Sequence, residues 1–297
     1  MKSKVYGFGI ISTIIFFCLS NAKAQLNPLA SQYYNNLYQA NAAMAGYLPG
    51  LRLNIANRSQ LSSLSGKPLN TSFTLDYGIN KVGIGLNFYN DQAGLLNRSK
   101  LIATYAYHIP LSYEDSKLHF GFSVGFQKEN LNNNAIQGST TDPIPSQYND
   151  RGIIINGDFG LAFTSKRVFI EASLININKQ TMIENQPAAD YGTFYTSISY
   201  LKEVGDWLVK PKLVYRGVRN YKDLFDVAVH IKPQNQSLAF LGMYHSYKSY
   251  SFGLSYQPNR TWQLLGVYNT STTAIRNYAN GTFEIGLQFD FSKSDDY

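Results

Sequence analysis

The sequence predicts an all-β fold, a transmembrane antiparallel β-barrel of the outer-membrane type with about 14 strands. Three observations predict it. Most of the chain alternates with a period of two, large apolar residues on one side and Gly, Asn, Thr, Ser or His on the other. Such a segment is a strand whose two faces meet different media. The composition is aromatic and sparsely charged: Phe, Trp and Tyr make 14% of the chain and Asp, Glu, Lys and Arg only 15%. A barrel in lipid has that balance, with an apolar band, aromatic girdles and a polar lumen. The connections between alternating segments also sort by parity, as described below.

Taken in order, residues 1–24 read as a cleaved signal peptide. Lys2 and Lys4 form a basic start, Val5 to Leu19 an apolar core, and Ala22-Lys23-Ala24 an A-x-A cleavage site, which makes Gln25 the expected mature N-terminus. The apolar core is short for a membrane span. The single cysteine, Cys18, lies inside this leader. A mature chain without it is expected to have no disulfide, zinc–thiolate site or cysteine nucleophile. The formal charge of +7 includes Lys2, Lys4 and Lys23, and the leader has no acid, so the mature chain stands at +4. No basic block is dense enough for a nucleic-acid face. Residues 25–50, which include SQYYNNLYQANAAMAG, do not alternate cleanly and read as a periplasmic or plug segment.

The barrel is expected over residues 51–291, followed by a C-terminal tail at 292–297. Its strands are read at Leu51–Arg58, Asn70–Gly78, Lys81–Tyr89, Ser99–Ile109, Lys117–Lys128, Gly152–Thr164 and Arg167–Asn176. They continue at Tyr191–Glu203, Trp207–Gly217, Asp223–Lys232, Ser237–Ser246, Ser249–Gln257, Thr261–Thr270 and Gly281–Phe291. The clearest unit runs from Lys81 to Ile109. Val82, Ile84, Leu86 and Phe88 share one face of its first strand, and Leu101, Ala103, Tyr105, Tyr107 and Ile109 one face of its second. Similar stripes run through Phe120, Phe122, Val124 and Phe126, through Tyr250, Phe252, Leu254 and Tyr256, and through Phe283, Ile285, Leu287, Phe289 and Phe291. Pro211 falls inside the ninth strand and cannot donate to a ladder, so a bulge or a later start is expected there.

With both termini in the periplasm, even-numbered connections should be short turns and odd-numbered ones longer loops. Ile79-Asn80, Pro110–Ser116, Ser165-Lys166, Val204–Asp206, Pro233–Gln236 and Pro258–Arg260 are all short. Ser59–Leu69, Asn90–Arg98, Glu129–Arg151, Ile177–Asp190 and Ser271–Asn280 are longer, while Val218–Lys222 and Tyr247-Lys248 depart from the trend. A soluble sandwich has no reason to sort its loops this way.

Chemistry-bearing patterns are weak. Asp226 and His230 share a strand face but lie roughly 13 Å apart at standard rise. They read as polar lumen residues. His108, His119 and His245 have no metal-ligand spacing, no serine sits in an elbow motif, and Asp142 and Asp150 do not make a calcium loop. Gly83, Gly85, Gly121 and Gly125 lie within strands and read as small residues that let a plug or a neighbouring strand approach. Arg52, Lys210, Lys212 and Arg216 are candidates for a weakly cationic lumen. No catalytic residue, cofactor or metal is expected.

Several stretches resemble the PorP/SprF family of Bacteroidetes outer-membrane proteins. Ser31-Gln32-Tyr33 through Asn41-Ala42-Ala43-Met44-Ala45-Gly46 is similar to the family's opening element, with Ala42 in place of its proline. Arg58-Ser59-Gln60-Leu61 resembles the Arg-x-Gln-Trp after the first strand, with Leu61 for the aromatic. Gly66-Lys67-Pro68 and the Ser72–Tyr77 strand are similar too. Gly83-Ile84-Gly85-Leu86, Asn90-Asp91-Gln92-Ala93-Gly94-Leu95-Leu96 and Tyr105-Ala106-Tyr107-His108-Ile109 follow in family order, and Lys117–Phe126 continues the match. The resemblance covers about the first third of the mature chain. It implies a non-enzymatic barrel of the type IX secretion and gliding-motility machinery in the cell outer membrane. The implied partners are secreted proteins with C-terminal sorting domains, periplasmic secretion components and outer-membrane lipid, with no nucleic acid. Asn41, Gly46, Arg58, Asn90, Asp91, Gln92 and Gly94 are its candidate motif or partner-docking residues. For Asn90, Asp91 and Gly94, turn chemistry competes with docking. The alternative reading is a transport channel of the fatty-acid-transporter type with residues 25–50 as its plug. A lipid hydrolase is a third class, disfavoured by the missing catalytic set.

Overall fold

The computed structural model describes residues 31–60, 66–112, 115–132, 144–178, 192–219, 222–270 and 281–291. The expected signal peptide, the C-terminal tail, Leu61 and Asp142 lie outside these residues. Fifteen strands form one antiparallel sheet: β1 (Gly50–Ser59), β2 (Leu69–Ile79), β3 (Val82–Ala93), β4 (Leu96–Pro110), β5 (Lys117–Leu131), β6 (Ile153–Thr164), β7 (Val168–Ile175), β8 (Thr193–Tyr200), β9 (Lys202–Val204), β10 (Trp207–Val218), β11 (Leu224–Pro233), β12 (Leu238–His245), β13 (Ser249–Tyr256), β14 (Trp262–Asn269) and β15 (Thr282–Phe291). Each pairs with its chain neighbour, and β1 pairs with β15, which closes the sheet on itself. Closure gives every strand a neighbour on both edges except the three-residue β9, which pairs with β10 alone, close to the condition lipid sets. Strands β8 and β9 flank Leu201 and make one crossing, so the barrel has 14 staves.

The break at Leu201 lies opposite Pro211. β10 pairs with β9 up to Val209↔Lys202 and with β8 from Lys212↔Ser199, leaving the ladder interrupted between them. Proline has no N–H to give at that point. On its other side β10 pairs with β11 without interruption, Pro211 opposite Val229.

The two faces are inverted relative to a soluble protein. Ile84 is 52% exposed, Phe126 57% and Ile285 61%, whereas Thr74, Asp76, His119, Gln127 and Glu284 on inward faces are buried. Lipid covers the apolar side, as the alternation predicts. No helix among the described residues is long and apolar enough to cross a membrane.

One connection is shorter than expected. Strand β3 runs through Asn90, Asp91 and Gln92 to Ala93, and β4 resumes at Leu96, so the expected loop Asn90–Arg98 is a turn at Gly94-Leu95. Its polar residues hid the strand because they cross-pair: Ser99 Oγ donates to Asn90 Oδ1 at 3.3 Å, and Asp91 meets Arg98 at 3.3 Å. β4 and β5 have 15 residues each, against eight in β12, β13 and β14. Fifteen residues make ~50 Å of strand. Even tilted, that overtops an apolar band of ~25 Å. This side of the barrel therefore stands above the lipid at the end opposite the short turns.

Candidate functional site

The segment before β1 is polar yet carries no charge from Ser31 to Pro49. It cannot make a strand, because its Asn and Gln residues recur without alternation. It forms three short helical turns, Gln32–Tyr34, Leu37–Ala40 and Ala42–Met44. The turns touch inward faces around the barrel, so they occupy the lumen as a plug. Ser31 N–H donates to Glu284 on β15 at 3.1 Å and Ser31 Oγ to Asn269 on β14 at 2.8 Å. Tyr33 O–H donates to Asp226 on β11 at 2.8 Å, and Tyr34 O–H to the Lys210 carbonyl on β10 at 2.7 Å. Asn36 donates to Thr74 on β2, Tyr38 donates to Thr104 on β4, and the Ala40 carbonyl accepts from Ser173 on β7.

The candidate residues divide between two places. Asn41, Gly46 and Arg58 belong to the plug and its seat. The Asn41 side chain accepts from Ala43 N–H at 3.0 Å, capping the third turn, and donates to the Leu161 carbonyl on β6 at 2.9 Å. Gly46 has φ +61°, and its N–H donates to Asp76 at 2.9 Å. A Cβ there would lie 2.5 Å from the Tyr77 carbonyl oxygen. Arg58 ion-pairs with Glu284 at 3.5 Å, the carboxylate that holds Ser31. Asn90, Asp91, Gln92 and Gly94 instead form the β3–β4 tip. Asp91 faces the lumen side with Arg98, while Gln92 is exposed. Gly94 turns with φ +59°, and its N–H donates to the Gly66 carbonyl at 3.1 Å.

The wall glycines are the lower part of the seat. A Cβ on Gly83 would stand 1.9 Å from the Ala45 carbonyl oxygen, and one on Gly121 2.2 Å from the Ala43 nitrogen. Gly85 leaves room for the Tyr38 ring. Gly125 differs, since its neighbours are Leu101 and Ile102 of the adjacent strand. Between plug and wall, voids of about 10 Å³ remain beside Gln39, each with room for about one water.

Two polar groups escaped sequence reading. His108 and His119 face each other across β4 and β5, with their Nδ1 atoms 2.8 Å apart. Their tautomers follow from the ends of the chain of bonds. The Ala45 carbonyl only accepts, so His108 Nε2 donates to it at 3.1 Å, and neutral His108 then accepts at Nδ1 from His119. His119 Nε2 in turn accepts from Thr164 O–H at 2.8 Å. A wall hydroxyl thus reaches the plug backbone through two imidazoles.

The second group gives Asp226 a partner other than His230, which the strand rise had already put out of reach. Asp226 bonds His245 Nδ1 at 2.7 Å, and His245 Nε2 lies 2.6 Å from Ser251 Oγ. The order matches a hydrolytic triad, but its setting is that of a structural lock. All three are buried, Asp226 also holds Arg216 at 2.7 Å and Tyr33, and the Ser251 hydroxyl contacts Asn269 and Ser31. A nucleophile needs space for a carbonyl about 3 Å away, and the plug stands in that space.

The rim has its own network. Arg98 pairs with Glu129 at 3.0 Å as well as with Asp91. Tyr148, on the rim helix Ile144–Asn149, donates to Glu129 at 2.9 Å. Burial first, then that hydrogen bond, raises the Tyr148 phenol above its usual range.

Comparison with known proteins places these features. No curated protein sequence matches the chain. Among solved structures, the CymD monoaromatic hydrocarbon channel matches with a TM-score of 0.52 at 11% identity, over 91% of this chain and 95% of that one. The Acinetobacter baumannii outer membrane protein Omp33 matches with 0.48 at 6% identity, over 83% and 100% of the two chains. The P. putida toluene transporter TodX matches with 0.46 at 8% identity, over 86% and 94%. The CymD likeness shows the shared outer-membrane barrel fold. The family model described as type IX secretion system membrane protein PorP/SprF matches residues 22–289. The chain therefore belongs to the PorP/SprF family of type IX secretion system outer-membrane proteins.

Proposed function

We propose that the protein is a non-enzymatic docking element of type IX secretion, helping to secrete or anchor surface proteins that carry C-terminal sorting domains. The observation that carries this reading is the occupied lumen. A plug bonded to inward faces around the wall, with water-sized voids beside Gln39 among the described residues, suits an anchor better than a conduit for polypeptide. Docking then falls to the ends of the barrel. On the outer side, the β3–β4 tip presents exposed Gln92, Gly94 and Leu95 on a frame held rigid by Asp91, Arg98 and Glu129. On the inner side, the short turns face periplasmic secretion components.

Deletion of the gene tests the proposal: surface display of at least one sorting-domain protein should be lost. An unchanged surface proteome would sink it. The channel reading is tested separately in planar bilayers. The purified barrel should conduct little, whereas a large steady conductance would favour transport. Replacing Asp91 and Gln92 together then separates docking from turn formation, because a docking role predicts lost cargo on an intact barrel.

A further inference from the structure

Of the four lumen cations singled out in the sequence, three are ion-paired. Arg52 meets Asp290 at 3.2 Å, Lys212 meets Glu171 at 3.0 Å, and Arg216 meets Asp226 at 2.7 Å. Lys210 has no such pair among the described residues. It stands opposite His230 in the β10–β11 register, and Lys232 follows two residues along the same face of β11. All three are half-buried. They lie at the periplasmic end, where β10 begins at Trp207 and β11 ends at Pro233.

Their direct contacts are neutral or aromatic. Lys210 Nζ sits 4.3 Å from the Phe169 ring centroid, Lys232 Nζ donates to Gln257 Oε1 at 3.0 Å, and His230 lies against Tyr34 with centroids 5.9 Å apart. The nearby acids are engaged or turned away. Glu171 on β7 binds Lys212 and Ser197, and Glu203 on β9 is exposed at the rim opposite Leu208. The plug offers no charge. Two lysine ammonium groups beside an imidazole in a half-buried site repel each other, and an anion seated between them would relieve that repulsion.

We propose that Lys210, His230 and Lys232 form an anion-binding vestibule, open to the periplasm, that takes the phosphate or carboxylate group of a soluble molecule. Lipid headgroups are excluded because the three side chains face the lumen and the wall separates them from the bilayer. Two sources of that chemistry remain. One is a diffusible small anion. The other is this chain's own Asp295 and Asp296, which follow β15 in sequence. The inference does not depend on the docking reading.

The test is calorimetric titration of the full-length barrel in detergent with inorganic phosphate, and separately with succinate. Saturable binding that weakens with salt is expected. Lys210→Met with Lys232→Met should lose about tenfold or more in affinity, the scale of one charge-assisted hydrogen bond. Lys210→Arg should retain binding. Heat-modifiable gel mobility reports whether each variant is folded, and Lys232→Gln, nearest the mouth, repeats the test if the double variant does not fold. In Asp295→Asn with Asp296→Asn, unchanged phosphate affinity identifies a diffusible anion, and tighter binding identifies the chain's own carboxylates. Absence of saturable binding in both the wild type and this variant overturns the proposal, as does undiminished affinity in a folded lysine variant.

Discussion

The plug seat and the β3–β4 tip are built by opposite means. The seat is assembled from residues far apart in sequence, such as Ser31 with Glu284, Tyr33 with Asp226, and Asn36 with Thr74. Its lower half is a matter of shape, since Gly83 and Gly121 let the plug backbone touch the wall. The tip is local. Asp91 and Arg98 are seven residues apart and meet because a tight turn reverses the chain between them. Buried, long-range contacts are costly to disturb and give integrity, whereas an exposed turn tolerates change and is free to meet a partner. In this chain the candidate residues named from the sequence lie in both kinds of region.

The largest effect should come from the seat. Asp226→Ala withdraws the carboxylate shared by Arg216, Tyr33 and His245, where Arg216 has no solvent exposure. A loss of about 3–5 kcal/mol is expected, the scale for breaking a buried pair, read by urea unfolding in detergent. A loss below that of the tip variants would invert the comparison. Gly121→Ala comes next. Its new methyl would lie 2.2 Å from plug backbone, which cannot give as a flexible side chain does. About 1–3 kcal/mol of overpacking is expected, together with raised bilayer conductance as the plug is pushed out. Wild-type conductance in a folded Gly121→Ala barrel would contradict the seat.

Tyr33→Phe removes one hydrogen bond and keeps the ring, and should cost about 1–2 kcal/mol by the same unfolding assay. The smallest effects belong to the tip. Gly94→Ala forces a side chain into φ +59° but meets nothing within 4 Å. It should cost about 1–2 kcal/mol. Gln92→Ala, exposed and free of such strain, should stay within about 0.5 kcal/mol of wild type. If Gln92→Ala also impairs cargo retention, stability and docking are separated at a single residue.

Much of the fold was legible in advance because a barrel writes its faces into the sequence. Ile84, Leu86, Leu101 and Tyr105 are exposed to lipid as their alternation predicts, whereas the bulge or later start expected at Pro211 is instead a gap in the neighbouring ladder, with β10 itself running from Trp207. The reading of Gly83, Gly85 and Gly121 as room for a plug agrees with their contacts, while Gly125 answers to its neighbouring strand. The polar stretch Asn90–Arg98 misled because hydrophilic residues read as loop, although cross-strand hydrogen bonds make them strand. Asp226 and His230 share a strand face but stand too far apart to touch. The shorter path runs across the ladder to His245, and only register supplies it.

The sequence by itself determined most of the strands, which side of each faces lipid, and at which end the turns are consistently short. These depend on local alternation and on loop length, both of which are properties of neighbouring residues. The tertiary structure decided the rest: that the uncharged segment before β1 lies in the lumen, that His108 meets His119 and Asp226 meets His245, and that Lys210 stands opposite His230 with no ion pair of its own among the described residues. Those contacts join residues on different strands, and no local pattern encodes them. They exist once the sheet has closed and its register has set which side chains share a height in the barrel.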